Sequence, residues 1–305
     1  MKNIITNILL LSAMALPVLT SCSSDDETNA GTNKKLLEVE VLDNTQTRAA
    51  SPLYNSIPSK TYYGIYLADN DNNVASNCNN ISVYYYDGRS TISKPIELNT
   101  NDRRVLAYYP YDSSISPDNL ELEGVMAGKD VMIGKSVEAE LTDGTYSLGY
   151  VNNNMNKACL KLTHAKSCIT FNITQEETWT NHMVKEVSIH VPARYAGVNL
   201  FTGKYEGNTD AEIPANVLNA NIHAGENVTC NFLVAPTVKE GGIYAIIGID
   251  DAVKEIKLPV TILEPGMNYV FNITVKKDTS LVLGEVWIVN RDEKSSSSMD
   301  WEIEY

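Results

Sequence analysis

The feature that most constrains this chain is a series of short segments rich in Val, Ile, Tyr and Thr, separated by turn-forming residues. Segments bounded in this way by Asn, Asp, Gly and Pro predict β-strands, and apolar residues at helical spacing are hard to find. The predicted strands are 61–67, 81–86, 105–109, 157–162, 168–173, 186–191, 228–234, 243–249, 255–262 and 269–275. Turn pairs such as Asp87-Gly88 and Pro265-Gly266 lie between them. The sequence therefore predicts an all-β protein built from β-sandwiches.

The length of 305 residues makes two domains the first expectation, with one large β domain as the alternative. The Asn-rich segment 152–156 lies near the midpoint and is the expected junction. Residues 36–155 are then the N-terminal β-sandwich and residues 156–305 the C-terminal one.

The first residues have the layout of an export signal. Residues 1–21 begin with the single basic Lys2, continue with an apolar stretch, and end in Leu-Thr-Ser before Cys22. This ending resembles a bacterial lipobox, in which the Cys22 thiol receives diacylglycerol; an ordinary signal with an incidental cysteine is the alternative. The acidic run that follows resembles the tag of surface-exposed lipoproteins in some Gram-negative anaerobes, and is otherwise a solvated tether. Residues 22–35 are predicted to be a linker, and we expect an outer-membrane lipid anchor.

The charge and the motifs exclude several function classes. With 24 Lys and Arg against 38 Asp and Glu, the net charge is −14, which argues against nucleic acid because phosphate binding needs a basic face. The four histidines show neither HExxH nor paired-cysteine zinc spacing. Residues 69–73 begin like a calcium loop, but Val74 replaces the turn glycine and Asn80 the bidentate glutamate. We expect no enzyme activity, no cofactor and no metal.

The cysteines after Cys22 leave two possibilities open. They are Cys78, Cys159, Cys168 and Cys230. An exported protein can form disulfides, and four cysteines allow three pairings that the sequence does not separate. Free buried thiols fit equally well.

Tyrosine is concentrated in one part of the chain, with twelve of the 17 between residues 49 and 157. Exposed tyrosines could stack on sugar rings or anchor a protein partner. Tyrosine also suits half-buried strands, so a purely structural role fits the same bias.

Several motifs in one order resemble the fimbrillin family. They are Ala107-Tyr108-Tyr109-Pro110-Tyr111, His164-Ala165-Lys166 before Ile169-Thr170-Phe171, Pro265-Gly266-Met267-Asn268-Tyr269 before Phe271-Asn272-Ile273-Thr274-Val275, and Val286-Trp287-Ile288-Val289. The resemblance runs from Cys22 to about residue 290. It implies two tandem transthyretin-like (Greek-key) β-sandwich domains, export as a lipoprotein, and a role as a subunit of type V pili.

Two distant segments share one binary pattern. In the sequence LEVEV, Leu37, Val39 and Val41 alternate with glutamates and would share one face of a strand. The last five residues, WEIEY, repeat the pattern. Their apolar members are Trp301, Ile303 and Tyr305. Both segments could fill a groove for three apolar side chains, although any half-buried strand alternates and the match can be accidental.

A protease site is expected between the first strand and the body. Residues 45–51 are small and polar apart from Arg48, which is typical of a segment open to a trypsin-like protease. The fimbrillin resemblance implies an arginine-specific cut that releases the first strand, which an extended strand from a neighbour replaces. We therefore expect cleavage between Arg48 and Ala49, loss of strand 36–42, and a head-to-tail polymer of pilus subunits with the terminal segment as donor strand.

The resulting hypothesis is a fimbrial subunit with a role in adhesion, anchored in the outer membrane through Cys22 before processing and located in the fimbrium afterwards. A pilus anchor would keep its lipid and its first strand. A tip adhesin or a monomeric glycan-binding surface lipoprotein are further alternatives, and the sequence does not separate these roles.

Overall fold

The computed structural model describes residues 34–42, 57–176, 181–223 and 226–292. Within these ranges every regular element is a β-strand, nineteen in all. The prediction of an all-β protein is therefore confirmed. The described residues contain no helix that is long and apolar enough to span a membrane.

The strands of the first half form one eight-stranded sheet. They are β1 (Glu38–Val41), β2 (Thr61–Ala68), β3 (Ile81–Tyr86), β4 (Arg89–Ile92), β5 (Arg104–Tyr109), β7 (Met132–Glu140), β8 (Tyr146–Leu148) and β9 (Lys157–His164). The order is β1-β9-β7-β5-β2-β3-β4, with β8 paired to β7. All pairs in this sheet are antiparallel except β1 with β9, which is parallel.

Local sequence explains these strands well. In β3, Ile81, Val83 and Tyr85 are buried while the intervening residues are half-buried or exposed, as expected for a strand with one face on the core. Asp87 and Gly88 join β3 to β4 with φ of 48° and 77°. Two successive positive φ values are the backbone of a type I′ hairpin, so this turn forms where the Asp-Gly pair predicts it.

The two ends of the first sheet approach each other. Leu36, just before β1, forms an isolated antiparallel bridge with Glu97, which follows β4. Val41 from one end and Ile96 from the other belong to the same apolar cluster. The first half is thus one sheet that turns back on itself around a core.

The strands of the second half form two four-stranded sheets. They are β10 (Ser167–Gln175), β11 (His182–His190), β14 (Asn216–Ile222), β15 (Val228–Val234), β16 (Tyr244–Ile249), β17 (Ala252–Lys257), β18 (Met267–Val275) and β19 (Leu281–Asn290). The orders are β15-β10-β18-β19 and β14-β11-β16-β17. Phe171 and Phe271 from one sheet and Val187 from the other share one buried cluster, as in a β-sandwich.

A small sheet connects the halves. It consists of β6 (Leu120–Glu121), β12 (Gly197–Val198) and β13 (Tyr205–Glu206) in the order β13-β12-β6. Beneath it lies an apolar cluster with Tyr66 and Leu120 from the first half and Val198 and Leu200 from the second. The halves therefore share part of their core.

The boundary between the sheets differs from the expected junction by one strand. The predicted domains 36–155 and 156–305 place β9 in the second domain, whereas β9 pairs with β1 and β7 in the first sheet. Sheet membership changes between His164 and Ser167. The physical reason is that backbone pairing over a long sequence separation decides membership, and the Asn-rich segment is only a loop inside the first sheet.

Candidate functional site

The strand predicted to be removable lies at one end of the first sheet. β1 pairs with β9 in parallel, with Glu38 opposite Lys157 and Val41 opposite Leu160. In the part of the chain that the structure describes, no other strand follows β1 in the sheet order. Removal of β1 would therefore leave every other described strand pair intact.

The backbone just before β1 is held from the other side. The N–H of Leu37 donates to the carbonyl oxygen of Ile96 at 2.9 Å, and the N–H of Leu98 donates to the carbonyl oxygen of Lys35 at 3.0 Å. The first strand thus lies between β9 on one side and residues 96–98 on the other. This position is termed the strand slot below.

The apolar side chains of the first strand face the core. Leu37 is 4% exposed and Val41 is 6% exposed, and the half-buried Val39 packs against the same cluster. A fully buried aliphatic side chain contributes about 1.5–3 kcal/mol, so Leu37 and Val41 together contribute about 3–6 kcal/mol. This is a substantial share of the about 5–15 kcal/mol by which a domain is stable.

The outer face of the first strand carries two glutamates, each met by donors. An Oε atom of Glu38 lies 3.9 Å from Nζ of Lys157, and the side-chain amide of Asn156 donates to Glu38 at 3.3 Å. Glu40 accepts from the backbone N–H of Thr142 at 3.1 Å and from its hydroxyl at 2.9 Å. These donors form the polar rim of the strand slot.

Lys157 contacts a second carboxylate besides that of Glu38. Its Nζ also donates to the carboxylate of Asp143. That hydrogen bond, followed by the charges of Asp143, Glu38 and Glu40, raises the pKa of Lys157. The same hydrogen bond holds the pKa of Asp143 well below its usual range. The rim therefore keeps a positive charge at neutral pH.

The other predicted site residues lie outside the described residues. They are the lipidation residue Cys22, the cleavage residues Arg48 and Ala49, and the donor-strand residues Trp301, Ile303 and Tyr305. The described chain stops at Leu42 and resumes at Ile57, so Arg48 lies in sequence between β1 and the rest of the first sheet. A cut after Arg48 would separate β1 covalently from every other described strand.

Two histidines are buried and serve the structure. His164 Nδ1 lies 2.6 Å from a carboxylate oxygen of Asp292, and His182 Nδ1 lies 2.7 Å from one of Asp250. The hydrogen bond from His182 is the main reason that the pKa of Asp250 is lowered. Among the described residues, no group of three His, Cys, Asp or Glu side chains is placed to hold a metal ion.

The segment that begins like a calcium loop forms a turn. The carboxylate of Asp69 accepts from the backbone N–H of Asp71 at 3.0 Å and from that of Asn73 at 2.9 Å. These bonds lower the pKa of Asp69, with the bond from Asn73 as the first cause. The carboxylate is thus used to close the turn after β2.

The four cysteines of the described chain are free thiols. Cys78, Cys159, Cys168 and Cys230 are all buried. Burial raises the pKa to about 12 for Cys78 and Cys230 and to about 11 for Cys159 and Cys168. Of the two possibilities that the sequence leaves open, the structure has the thiols.

The tyrosines divide between core and surface. Those buried in the core of the first half are Tyr63, Tyr66, Tyr85 and Tyr108. Tyr62 is 53% exposed, Tyr86 is 48% exposed, and Tyr84 stands directly opposite Tyr62 with 5.0 Å between ring centroids. Nζ of Lys60 lies 5.9 Å from the ring centroid of Tyr86. The group of the exposed Tyr62 and Tyr86 with the half-buried Tyr84 is termed the tyrosine face.

The sequence alone does not identify the partners of the first strand. Residues 96–98 alternate apolar and acidic side chains as LEVEV does, and this signal could have identified them as an extended segment. No spacing or motif points to Thr142 or Lys157, because both lie more than a hundred residues from β1. Only the folded chain brings them to Glu38 and Glu40.

Residues 47–290 match the fimbrillin-like family. This chain belongs to the fimbrillin-like family. The resemblance in the sequence motifs is thereby confirmed. For this fimbrillin-like chain, membership supports the role of a pilus subunit at the cell surface and indicates a structural protein rather than an enzyme. The match begins after β1 and ends with the last residue of β19.

Three solved structures are similar to this fimbrillin-like chain, and the first of them shares its fold. A candidate cell adhesion protein from Bacteroides uniformis matches with a TM-score of 0.58 at 14% identity, covering 86% of this chain and 99% of its own. A candidate cell adhesion protein from Bacteroides ovatus has a TM-score of 0.48 at 17% identity, covering 89% of this chain and 99% of its own. A fimbrial protein from Bacteroides vulgatus has a TM-score of 0.46 at 12% identity, covering 84% of this chain and 99% of its own. No curated protein matches this chain in sequence.

Proposed function

We propose that this fimbrillin-like chain is a pilus subunit that is exported as a lipoprotein through Cys22 and polymerises by strand exchange after cleavage between Arg48 and Ala49. The observation that carries the proposal is the position of β1. It lies at the end of the first sheet with two buried side chains, and its only paired strand is β9 among the described elements. Such a strand can be withdrawn as a unit.

Withdrawal of the first strand creates a site that must be filled. The strand slot then exposes the apolar cluster that Leu37 and Val41 cover and the unpaired backbone of β9. An open sheet edge over an apolar cluster pairs readily with another extended chain. We propose that residues 301–305 of a neighbouring copy, with Trp301, Ile303 and Tyr305 as apolar side chains, enter the slot as an added strand.

Such an exchange produces a filament. The donor is a terminal segment and the acceptor is the slot in the first sheet, so the contact joins two different surfaces. One end of the growing polymer then carries an unused donor segment and the other an empty slot, and further subunits can add. After the cut, residues 49–305 hold 20 basic against 32 acidic side chains, a net charge of −12. Like charge on every subunit disfavours side-by-side association and supports single thin fibres.

The proposal is tested by limited digestion of purified full-length protein with trypsin, followed by N-terminal sequencing and an unboiled denaturing gel. We expect a stable product that begins at Ala49 and a ladder of polymers. Arg48→Gln should abolish both, whereas the control Arg89→Gln, at an exposed position of β4, should change neither. A stable product with another N-terminus, or ladders from the Arg48→Gln variant, would contradict the proposal.

Deletion of residues 299–305 tests the donor. The cut subunit should then remain monomeric, and ladders that persist unchanged would show that the terminal segment is not the donor. An anchor subunit is distinguished by the cleavage state, because its Arg48 would stay intact within assembled pili.

The tyrosine face favours a second candidate function, ligand binding in adhesion. Three neighbouring rings beside Lys60 offer the stacking surface that sugar rings or protein partners use. Binding of purified protein to immobilised host glycans should fall at least tenfold in the double variant Tyr62→Ser and Tyr86→Ser. Tyr146→Ser, a change at a 54% exposed tyrosine of β8, is the control. Equal binding by all three proteins would exclude this surface.

A further inference from the structure

We propose that the strand slot recognises two carboxylates in addition to apolar side chains, and that Lys157 and Thr142 bind these carboxylates. Residues 301–305 of a second copy fit this requirement. The inference deepens the strand-exchange function proposed above and rests on it. It concerns which strand the slot accepts.

The two glutamates of β1 show where the carboxylates bind. Glu38 and Glu40 are two positions apart and therefore leave the strand on the same face. Glu38 stands opposite Lys157, with 3.9 Å between Oε and Nζ. Glu40 receives two hydrogen bonds from Thr142, at 3.1 Å from its backbone N–H and at 2.9 Å from its hydroxyl. Hydrogen bonds to an ionised acceptor are the stronger kind.

The donors remain when the first strand leaves. Lys157 is the first residue of β9, and Thr142 lies between β7 and β8. The emptied slot therefore keeps an ammonium group and the two Thr142 donors, while Lys157 retains its bond to Asp143. A replacement strand with neutral, non-accepting side chains at these two positions would fill the apolar part of the slot and leave the Thr142 donors without a protein acceptor.

The end of the chain carries the matching pattern. WEIEY has Glu302 and Glu304 two positions apart, between three apolar residues, as LEVEV has Glu38 and Glu40. The pattern reads the same in both directions. A strand that enters parallel or antiparallel to β9 therefore presents one glutamate to Lys157 and one to Thr142, with its apolar side chains towards the core.

The first experiment removes the two charges from the donor in full-length protein. The double variant Glu302→Gln and Glu304→Gln is cut with trypsin, and the subunit concentration at which half of the chains are polymeric is read from unboiled gels. We expect this concentration to rise about tenfold, the combined effect of losing two partly exposed charge-assisted contacts.

The matched control removes two exposed glutamates elsewhere, Glu255→Gln in β17 and Glu285→Gln in β19. It changes the net charge equally and should leave the concentration unchanged or lower it slightly through reduced repulsion. If the donor variant polymerises at the same subunit concentration as this control, the slot does not recognise carboxylates and the inference is overturned.

The second experiment exchanges charges across the contact. Lys157→Glu is combined with Glu38→Lys, which keeps an opposite pair in the uncut protein and is lost with the first strand on cleavage. This protein should fold but fail to polymerise. Adding Glu302→Lys or Glu304→Lys should restore ladders, and the one that succeeds reports the direction of the incoming strand. Failure of both to restore polymer, with circular dichroism showing a folded protein, would exclude Lys157 from the contact.

The deletion of residues 299–305 separates the two levels of the argument. If the deleted protein still forms ladders, the proposed donor is wrong and this inference fails with it. If the deletion abolishes ladders while the two glutamine substitutions have no effect, strand exchange stands and only carboxylate recognition is refuted.

Discussion

At the scale of single residues, a glycine permits the close approach of β7 and β9. A Cβ atom at Gly134 would lie 1.9 Å from the carbonyl oxygen of Lys161 and 2.9 Å from the Cα of Leu162. Both are backbone atoms of the partner strand, so no side-chain rotation can relieve the overlap. Since β9 is also the strand that lines the slot, this glycine supports the acceptor surface.

Gly134→Ala is expected to destabilise the protein by about 3 kcal/mol, because the two strands must move apart. Urea unfolding followed by circular dichroism measures the change. Gly248→Ala is the control, since its nearest neighbour is the flexible Glu186 side chain at 3.3 Å, and it should cost less than about 0.5 kcal/mol. Equal effects of the two variants would refute the explanation.

A buried lysine links pH to stability. Lys166 is fully buried and its Nζ donates to the carbonyl oxygen of Met126 at 2.8 Å. Loss of hydration lowers the pKa of Lys166 to about 8, against the opposing charges of Glu123 and Asp130. Because the unfolded chain holds this proton up to a higher pH, stability should rise as the pH increases from about 8 towards about 10.

Lys166→Met should remove this rise. Between pH 7 and pH 10 the unfolding free energy of the unaltered protein should increase by about 2 kcal/mol relative to the variant. At pH 7 the variant should be at least as stable, because a buried charge is replaced by an apolar side chain of similar length. Urea titrations at several pH values measure this, with the exposed Lys277→Met as control. Parallel pH curves for Lys166→Met and the unaltered protein would contradict the assignment.

At the scale of elements, β1 combines tight packing with easy separation. Leu37 and Val41 are buried in the cluster of the first half, yet β1 pairs with β9 alone among the described strands. Its packing therefore stabilises the uncut chain, while its position at the end of the sheet allows it to leave without breaking another strand pair.

Val41→Asp should destabilise the uncut protein by about 3 kcal/mol, because it places an unpaired carboxylate against the core. Thermal unfolding of uncut protein measures the loss. Val217→Asp makes the same change at a 69% exposed position of β14 and should cost less than about 0.5 kcal/mol. Fibre formed after the cut should be unaffected by Val41→Asp, since residue 41 is no longer part of it; weakened fibre would indicate that β1 stays in place.

At the scale of the whole molecule, the halves are joined by a shared core. The small sheet takes β6 from the first half and β12 and β13 from the second, and Leu120 and Val198 pack in one cluster beneath it. Since neither half can separate without exposing this cluster, the chain should unfold as one cooperative unit.

Cooperative unfolding is testable with Trp287, which lies in β19 and reports on the second half, in a protein whose other two tryptophans are replaced by Phe. Val83→Ala, in the cluster of the first half, should lower the free energy of unfolding by about 2 kcal/mol. This loss should be the same whether the urea transition is followed by tryptophan fluorescence or by far-ultraviolet circular dichroism. Val253→Ala, at a 71% exposed position, should shift neither. A tryptophan transition unmoved by Val83→Ala would show that the halves unfold separately.

Much of the secondary structure follows from local sequence. The predicted segments 81–86 and 228–234 coincide with β3 and β15, and 61–67 is one residue shorter than β2. The prediction of a strand at 255–262 is less accurate: the strand in the structure is β17, which runs from Ala252 to Lys257. Alternation and turn residues act over a few positions, so the sequence carries these signals directly.

The sequence by itself determined the all-β class, the family resemblance and the alternation of Leu37, Val39 and Val41. Only the tertiary structure decided that β9 belongs to the first sheet, that the first strand lies at its end, and that Lys157 and Thr142 meet its glutamates. The reason is physical. The choice among partner strands depends on backbone hydrogen bonds and packing between residues far apart in sequence, for which no local pattern exists.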